Sequence, residues 1–300
     1  MGTGRIRQGW RVSTWSGADE GGRKAQELKS ALLADITEGE YDEGALLPSQ
    51  RELAAKYGVS RDTVQRVLGV LAGEGWIESR QGRGSVVLRT QTVGSSVRKS
   101  AAVRRVTLGP LVAAAFEAPD VTLDVFTLTS EVLYTHVRVQ EERIRAREIG
   151  PATITIRMLT PPDDQVLPYP YAPADPADGR PQQHLQGIRK YHTDNLVRRL
   201  QELERDIDGL SATVEIRRTS LVPYSKLYIF NGAEVVTGPY VPTERPITLT
   251  DGTTLDVVDV MGFDSTLTHC AKDDDPESQD SLIVSSWQRW FDATWRYPRT

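Results

Sequence analysis

The sequence predicts a multi-domain α/β protein, in which a small helix–turn–helix module carrying a β-hairpin precedes a larger α/β domain. Three observations support this. Residues 47–88 hold two short helical patterns joined by a tight turn, then two alternating apolar runs. Beyond residue 107 the apolar spacing switches between strand and helix periods, in the order strand, helix, strand, helix, strand. Between them, TQTVGSSVRKSAAVRRV at 90–106 is polar and basic, as a linker is. The expected organisation is a flexible arm at 1–22, the first module at 23–90, a linker at 91–106 and the second domain at 107–300.

The module can be built from its parts. Ser49 and Glu52 have the spacing of a capping box, which opens a helix. Leu53, Ala54 and Tyr57 then share one face, and Gly58 ends the helix because glycine enters the left-handed conformation without steric cost. Val59 plugs the turn and Ser60 caps the next helix. Val64, Val67, Leu68 and Leu71 form a core stripe at i, i+3, i+4 and i+7. After Gly75, Trp76–Ser79 and Ser85–Leu88 alternate like paired strands around Arg80-Gln81-Gly82-Arg83-Gly84. This is the layout of a winged helix-turn-helix, which places its second helix in the major groove of DNA.

The side of that helix opposite the core carries Asp62, Gln65, Arg66 and Gly69, with Arg61 in the first turn. Arginine can bond guanine bidentately and glutamine can do the same with adenine, so Arg61 and Gln65 are the first candidates for base reading. Arg80 and Arg83 flank a glycine-flexed tip suited to phosphates or a minor groove.

The stretch at roughly 23–90 resembles the DNA-binding domain of the GntR family of bacterial transcription regulators, through LPSQRELA, YGVSRDTVQRVLGVL, EGWIESRQGRGS and the EGEYDEGALLPS approach. The resemblance implies that Arg51, Ser60, Arg61, Thr63, Gln65, Gln81 and Gly82 occupy DNA-contacting positions. With Ser49, Asp62, Arg66, Arg80 and Arg83 they complete the candidate interface. Many relatives carry arginine in place of Gln65, and threonine or arginine in place of Asp62. An acid there repels phosphate but can accept from a cytosine amino group, which leaves the operator sequence open.

Composition bounds the rest. The 300 residues suffice for two domains, and 39% hydrophobic with 26% charged residues is ordinary for a globular protein. No apolar run approaches the ~18 residues of a membrane span, and the opening MGTGRIRQGWRVSTWSG lacks a secretory apolar core, so a cytoplasmic, nucleoid-associated protein is expected. The single Cys270 rules out an intramolecular disulfide and a cysteine-based zinc cluster, and the four histidines lack close ligand spacing. No metal or cofactor is expected. Residues 1–100 hold 15 Lys and Arg against 12 Asp and Glu, and the remainder 21 against 29. A mildly cationic head on an anionic body suits a protein that meets DNA on one side, and so small an excess favours two heads acting together.

In the second domain, 121–129 reads as a buried strand, followed by a helix from Ser130 and Glu131 to about Glu148. A strand at 153–161, an irregular Pro/Asp/Ala-rich loop at 161–181, a helix at about 182–206 and a strand at 212–220 follow. Asn231-Gly232 between two apolar runs signals a tight hairpin. Strands at 246–250 and 254–261 and a helix from about Pro276 to Trp295 complete the order, which implies a parallel core with antiparallel additions. Trp287, Trp290 and Trp295 share a helical face suited to core or dimer contact. KDDDPESQD at 272–280 suits a helix start, and MGFDSTLTHC at 261–270 is polar enough to line a pocket.

This order, with Tyr224-Ser225-Lys226-Leu227-Tyr228-Ile229-Phe230-Asn231, resembles one half of a phospholipase-D-like domain. That superfamily uses His-x-Lys, four residues, then Asp. Here Lys226 holds the lysine position, Tyr224 stands for the nucleophilic histidine and Asn231 for the aspartate. Tyrosine, with a pKa near ~10, is a poor nucleophile at neutral pH, so the resemblance implies a retired catalytic scaffold kept as a ligand sensor, with no catalytic residue. Glu131, Tyr224, Lys226, Asn231, Tyr240 and His269 are the candidate ligand residues, and the helix start near Ser130 favours an anion. Lys226 also reads as a strand-edge lysine and Glu131 as a helix-capping acid.

The expected function is therefore a homodimeric, DNA-binding transcriptional regulator, a repressor, that binds double-stranded operator DNA. A small-molecule effector, for which an anion fits, would modulate it. The alternatives are a DNA-tethered phosphodiesterase and a regulator whose second domain only dimerises. Neither a membrane partner nor an enzymatic activity is expected.

Overall fold

The computed structural model describes residues 24–298 apart from 26, 30, 34, 37–39, 42–43, 74–75, 81–83, 88–92, 96–107, 250 and 262–266. The expected arm at 1–22 lies outside the described residues.

In the first module, the helical residues between 24 and 36 carry Leu28, Leu32, Leu33 and Ile36 into a core shared with α1 (Gln50–Tyr57) and α2 (Arg61–Gly73). The hairpin β1 (Ile77–Arg80) and β2 (Gly84–Val87) pairs antiparallel from Ile77–Val87 to Arg80–Gly84. Val64, Val67, Leu68 and Leu71 are all buried, as their helical spacing requires, with Trp76, Ile77 and Val87 packed against them. Burial of each such side chain contributes ~1.5–3 kcal/mol, which drives so small a module to fold.

The second domain is a mixed α/β structure. Its strands and helices are β3 (Val93–Ser95), α3 (Leu108–Ala115), β4 (Asp120–Phe126), α4 (Glu131–Arg145), β5 (Thr153–Thr160), α5 (Arg180–Asp206) and β6 (Ser211–Arg218). These are followed by β7 (Ser225–Phe230), β8 (Glu234–Pro239), β9 (Val241–Thr248), β10 (Thr254–Met261), β11 (Leu267–Ala271) and α6 (Gln279–Arg296). One sheet runs β3-β11-β8-β7-β4-β5-β6, and β9 and β10 form a separate antiparallel hairpin. β4, β5 and β6 are parallel, whereas β7 lies antiparallel to β4 and β8 antiparallel to β7.

Strand alternation divides the side chains between two layers. On β7, Tyr228 and Phe230 enter the core beneath α3, α4 and α5, while Leu227 and Ile229 enter the core beneath α6. On β4, Val121, Leu123 and Val125 take the first side and Phe126 the second. The α6 side also holds a charged cluster. Arg157 donates to both oxygens of Asp124 at 2.6 Å and to Asp292 at 2.8 Å, and its guanidinium lies over the rings of Phe291 and Trp295.

Several expectations change. The strand expected at 121–129 ends at Phe126, and the helix after it ends at Arg145. The strand expected at 246–250 is Val241–Thr248, paired in register with β10 over its whole length. Val93–Ser95, expected as linker, pairs parallel with Leu267–His269 at the sheet edge. Leu267–Ala271, expected within a pocket loop, is that strand's partner, because pairing with β8 satisfies its backbone. The tryptophan face packs on the sheet: Trp295 is buried, and Trp290 meets Phe126 at 5.2 Å between ring centroids. Among the described residues, no helix is long and apolar enough to cross a membrane.

Candidate nucleic-acid interface and candidate ligand cavity

The first module presents α2 through two caps. At the start of α1, the Ser49 hydroxyl accepts from the Glu52 N–H at 3.3 Å, and the Glu52 carboxylate accepts from the Ser49 N–H at 2.8 Å. Gly58 closes that helix at φ 62° and ψ 35°, a conformation that costs a side-chain-bearing residue ~1–2 kcal/mol. The Ser60 hydroxyl accepts from the Thr63 N–H at 3.1 Å and shares a bond with the Thr63 hydroxyl at 2.8 Å. Ser49 and Ser60 thus cap the starts of the two helices. Arg51, Arg61, Asp62, Gln65 and Arg66 are exposed on the same module. Asp62 lies in the first turn of α2, where its charge suits the helix dipole. The backbone of Arg80 pairs with Gly84 at the end of the hairpin, and Gln81, Gly82 and Arg83 lie outside the described residues.

The second domain holds a cavity of about 80 Å³ at the carboxyl end of β4, with Leu128, Glu131, Lys226, Tyr228, Tyr240 and Arg245 in its wall. This is the carboxyl end of a parallel strand, the end at which α/β sheets place ligands. Lys226 is only 3% exposed and lies 5.7 Å from the centre of the Tyr240 ring. Burial pushes its ammonium down to about 7, against the pull of Glu131. The Tyr240 hydroxyl accepts from the Leu128 N–H at 2.9 Å, which fixes the ring. Burial raises both Tyr228 and Tyr240 well above the ordinary phenol range, so their hydroxyls stay protonated. Arg245 on β9 donates through Nε to Asp259 on β10 at 3.1 Å.

Of the six candidate ligand residues, Glu131, Lys226 and Tyr240 line this cavity and the other three stand elsewhere. Tyr224 is 75% exposed, because it precedes β7 and turns outward while its carbonyl accepts from the Tyr240 N–H. Asn231 is the first of two left-handed residues in the hairpin turn, at φ 51°. Its side chain accepts from Thr122 and donates to the Ala115 carbonyl, so it ties the turn to β4 and α3. His269 pairs with Glu234 at 2.7 Å, at the opposite end of β7 and β8 from Lys226. The Tyr224, Lys226 and Asn231 side chains thus do not converge, in contrast to a working or retired catalytic motif. The sequence reading missed Tyr228, His184, Arg245 and Asp259. The last two lie near one another across the β9–β10 hairpin, and such cross-strand opposite charges were the one local signal available.

Glu131 has a further partner. Lys29, from the first module, donates to it at 2.8 Å, and His192 Nε2 lies 3.7 Å away. Arg138 on α4 also reaches the Glu27 carbonyl at 3.4 Å, and α2 passes within 8 Å of β9 between Cα atoms. Glu131, one residue of the cavity wall, therefore contacts the first module directly. Among the described residues, no group of three His, Cys, Asp or Glu side chains is placed to hold a metal ion.

Residues 24–87 match the model of the gntR family of bacterial regulatory proteins. The gntR-type domain is 45% identical over 60 residues to the HTH-type transcriptional regulator TreR of Bacillus subtilis (strain 168), a match covering 20% of this chain and 25% of that protein. It is 34% identical over 79 residues to the arabinose metabolism transcriptional repressor of Geobacillus stearothermophilus, covering 24% of this chain and 22% of that protein. Among solved structures it is similar to AraR(DBD) in complex with operator ORR3, at 25% identity and a TM-score of 0.21, over 28% of this chain and 90% of that chain. The chain thus spans about a quarter of the length of the curated relatives it matches.

Proposed function

We propose that this chain is a sequence-specific, DNA-binding transcriptional regulator that acts as a repressor. In this reading it binds operator DNA as a homodimer through α2 and the β1–β2 hairpin. The observation that carries it is the two-sided character of α2 within a gntR-type domain. Val64, Val67, Leu68 and Leu71 are buried, whereas Arg61, Asp62, Gln65 and Arg66 face solvent. Arg61 and Gln65 read base edges, and Arg51, Arg66 and the Arg80–Arg83 tip meet phosphates or a groove. Two heads on a near-palindromic site multiply the modest affinity of each. The second domain senses a small molecule, which shifts DNA occupancy by its differential affinity for two arrangements of the heads.

Selection from a random duplex library at moderate ionic strength tests the reading. A single enriched motif with two half-sites is expected, together with sedimentation of a dimer at binding concentrations. Retention of no duplex over the background would overturn it.

A further inference from the structure

The large sheet ends on β6, and among the described residues no strand covers its outer edge. The Ser211 and Thr219 N–H groups donate inward, to the Ala152 and Thr160 carbonyls. In a parallel pair only alternate residues of a strand aim their backbone groups at the neighbour, so Val214, Ile216 and Arg218 turn theirs outward. Ala212 does the same, but the Glu204 carboxylate accepts its N–H at 3.2 Å. Proteins that keep such an edge single shorten it, bulge it, charge it or place a proline in it. β6 pairs one-to-one with β5 over all eight residues, with neither bulge nor proline, and its Val214 and Ile216 are only half-buried. It does carry charge, yet of both signs, which repels a second strand in one register and attracts it in another.

We propose that β6 is the seam of the homodimer, pairing antiparallel with β6 of a second copy about a two-fold axis at Ile216. This names the surface behind the dimer proposed above and rests on that reading. The charges choose the register. An axis at Glu215, Arg217 or Arg218 would set that residue against its own copy, like charge on like. An axis at Val214, or nearer the start of β6, needs the Ala212 N–H that Glu204 holds. An axis at Ile216 joins Val214 to the partner's Arg218 through free backbone groups. It also places Glu215 opposite the partner's Arg217 on both sides of the axis, as the symmetry of an isologous contact requires. Glu215 is exposed and makes no ion pair among the described residues. Arg217 is already set in place, because its Nη1 donates to the Trp295 carbonyl and its guanidinium lies over the Trp295 ring, which leaves its other N–H groups for a carboxylate. A strand pair alone is too small for a stable dimer, which needs roughly 1,000 Å². The layers on either side of β6, α5 on one face and the end of α6 on the other, therefore meet their copies across the same axis.

Sedimentation of the full chain tests the seam. The parent is expected to dimerise. Glu215→Arg and Arg217→Glu each turn both cross-strand pairs into like-charge contacts, and each should weaken the dimer roughly tenfold. An equimolar mixture of the two variants should dimerise as the parent does, since one copy then brings two cations and the other two anions. Damage to the fold of either variant predicts no such recovery. Amide exchange should show Val214 and Ile216 protected in the dimer and released on dilution. A parent dimer undiminished by Glu215→Arg, or two folded variants that fail to recover on mixing, would overturn the seam and leave the regulator reading standing. Should Arg217→Glu not fold, Glu215→Arg and the exchange of Val214 and Ile216 decide alone. A parent that is monomeric at binding concentrations would instead strike the homodimer reading itself, and the seam with it.

Discussion

Lys29 donates to Glu131 at 2.8 Å, joining residues 102 positions apart and in different modules. Burial alone would raise the Glu131 carboxyl, but Lys29 and then His192 outweigh it and hold it at about 2, below its ordinary 4.5. A carboxyl depressed in the folded state stabilises the fold above its unfolded value, and that contribution is lost as pH falls through the folded one. Urea titrations of the parent and Glu131→Gln should therefore converge as pH falls from 4.5 to 2, with the parent losing stability faster. Parallel curves would show that the pair contributes nothing to folding.

Leu71 is fully buried where α2 meets the other elements of the first module. Leu71→Ala should cost ~2–5 kcal/mol, the transfer of the lost carbons plus the cavity left behind. Denaturant midpoints should report it, with the slope unchanged.

Ser60 caps α2 from its own hydroxyl. Ser60→Ala should cost about 1 kcal/mol of stability. In the proposed reading α2 faces the groove, so duplex affinity should fall as well, and a paired measurement of unfolding and binding checks both.

Arg157 holds Asp124 and Asp292 together and so pins α6 to the sheet. Arg157→Ala leaves the nearly buried Asp124 without its main partner and should cost about 3 kcal/mol. Arg157→Lys should recover little of this, since an ammonium lacks the planar fork that meets two carboxylates at once. Thermal unfolding of the two variants measures both effects.

Arg61 and Gln65 separate base reading from simple charge. Arg61→Ala should lose ~1–3 kcal/mol on a selected duplex and far less on random DNA. Equal losses on both would make Arg61 a phosphate contact. Gln65→Ala should relax the preference at one base position in a repeated selection.

The first module was largely legible because its signals are local. The Ser49–Glu52 box, Gly58, the Ser60 cap and the Val64–Leu71 stripe each act within a few residues, and each occurs in the structure as the spacing implies. The same holds for the Asn231-Gly232 turn. The cavity was half legible. Glu131, Lys226 and Tyr240 line it, whereas Tyr224 and Asn231, which share the motif of Lys226, do not. A motif position does not say which way a side chain points once its strand has found its neighbours.

By itself, the sequence determined the helices, their caps, the buried stripe and the exposed basic side of the first module, because backbone sterics and helical period act over four residues or fewer. Only the tertiary structure decided that Val93–Ser95 joins the sheet edge, that Arg245 and Asp259 close a cavity opened by β4, and that Lys29 reaches Glu131. Those contacts link residues far apart in the chain, and the energy that selects them arises only when the whole core is buried.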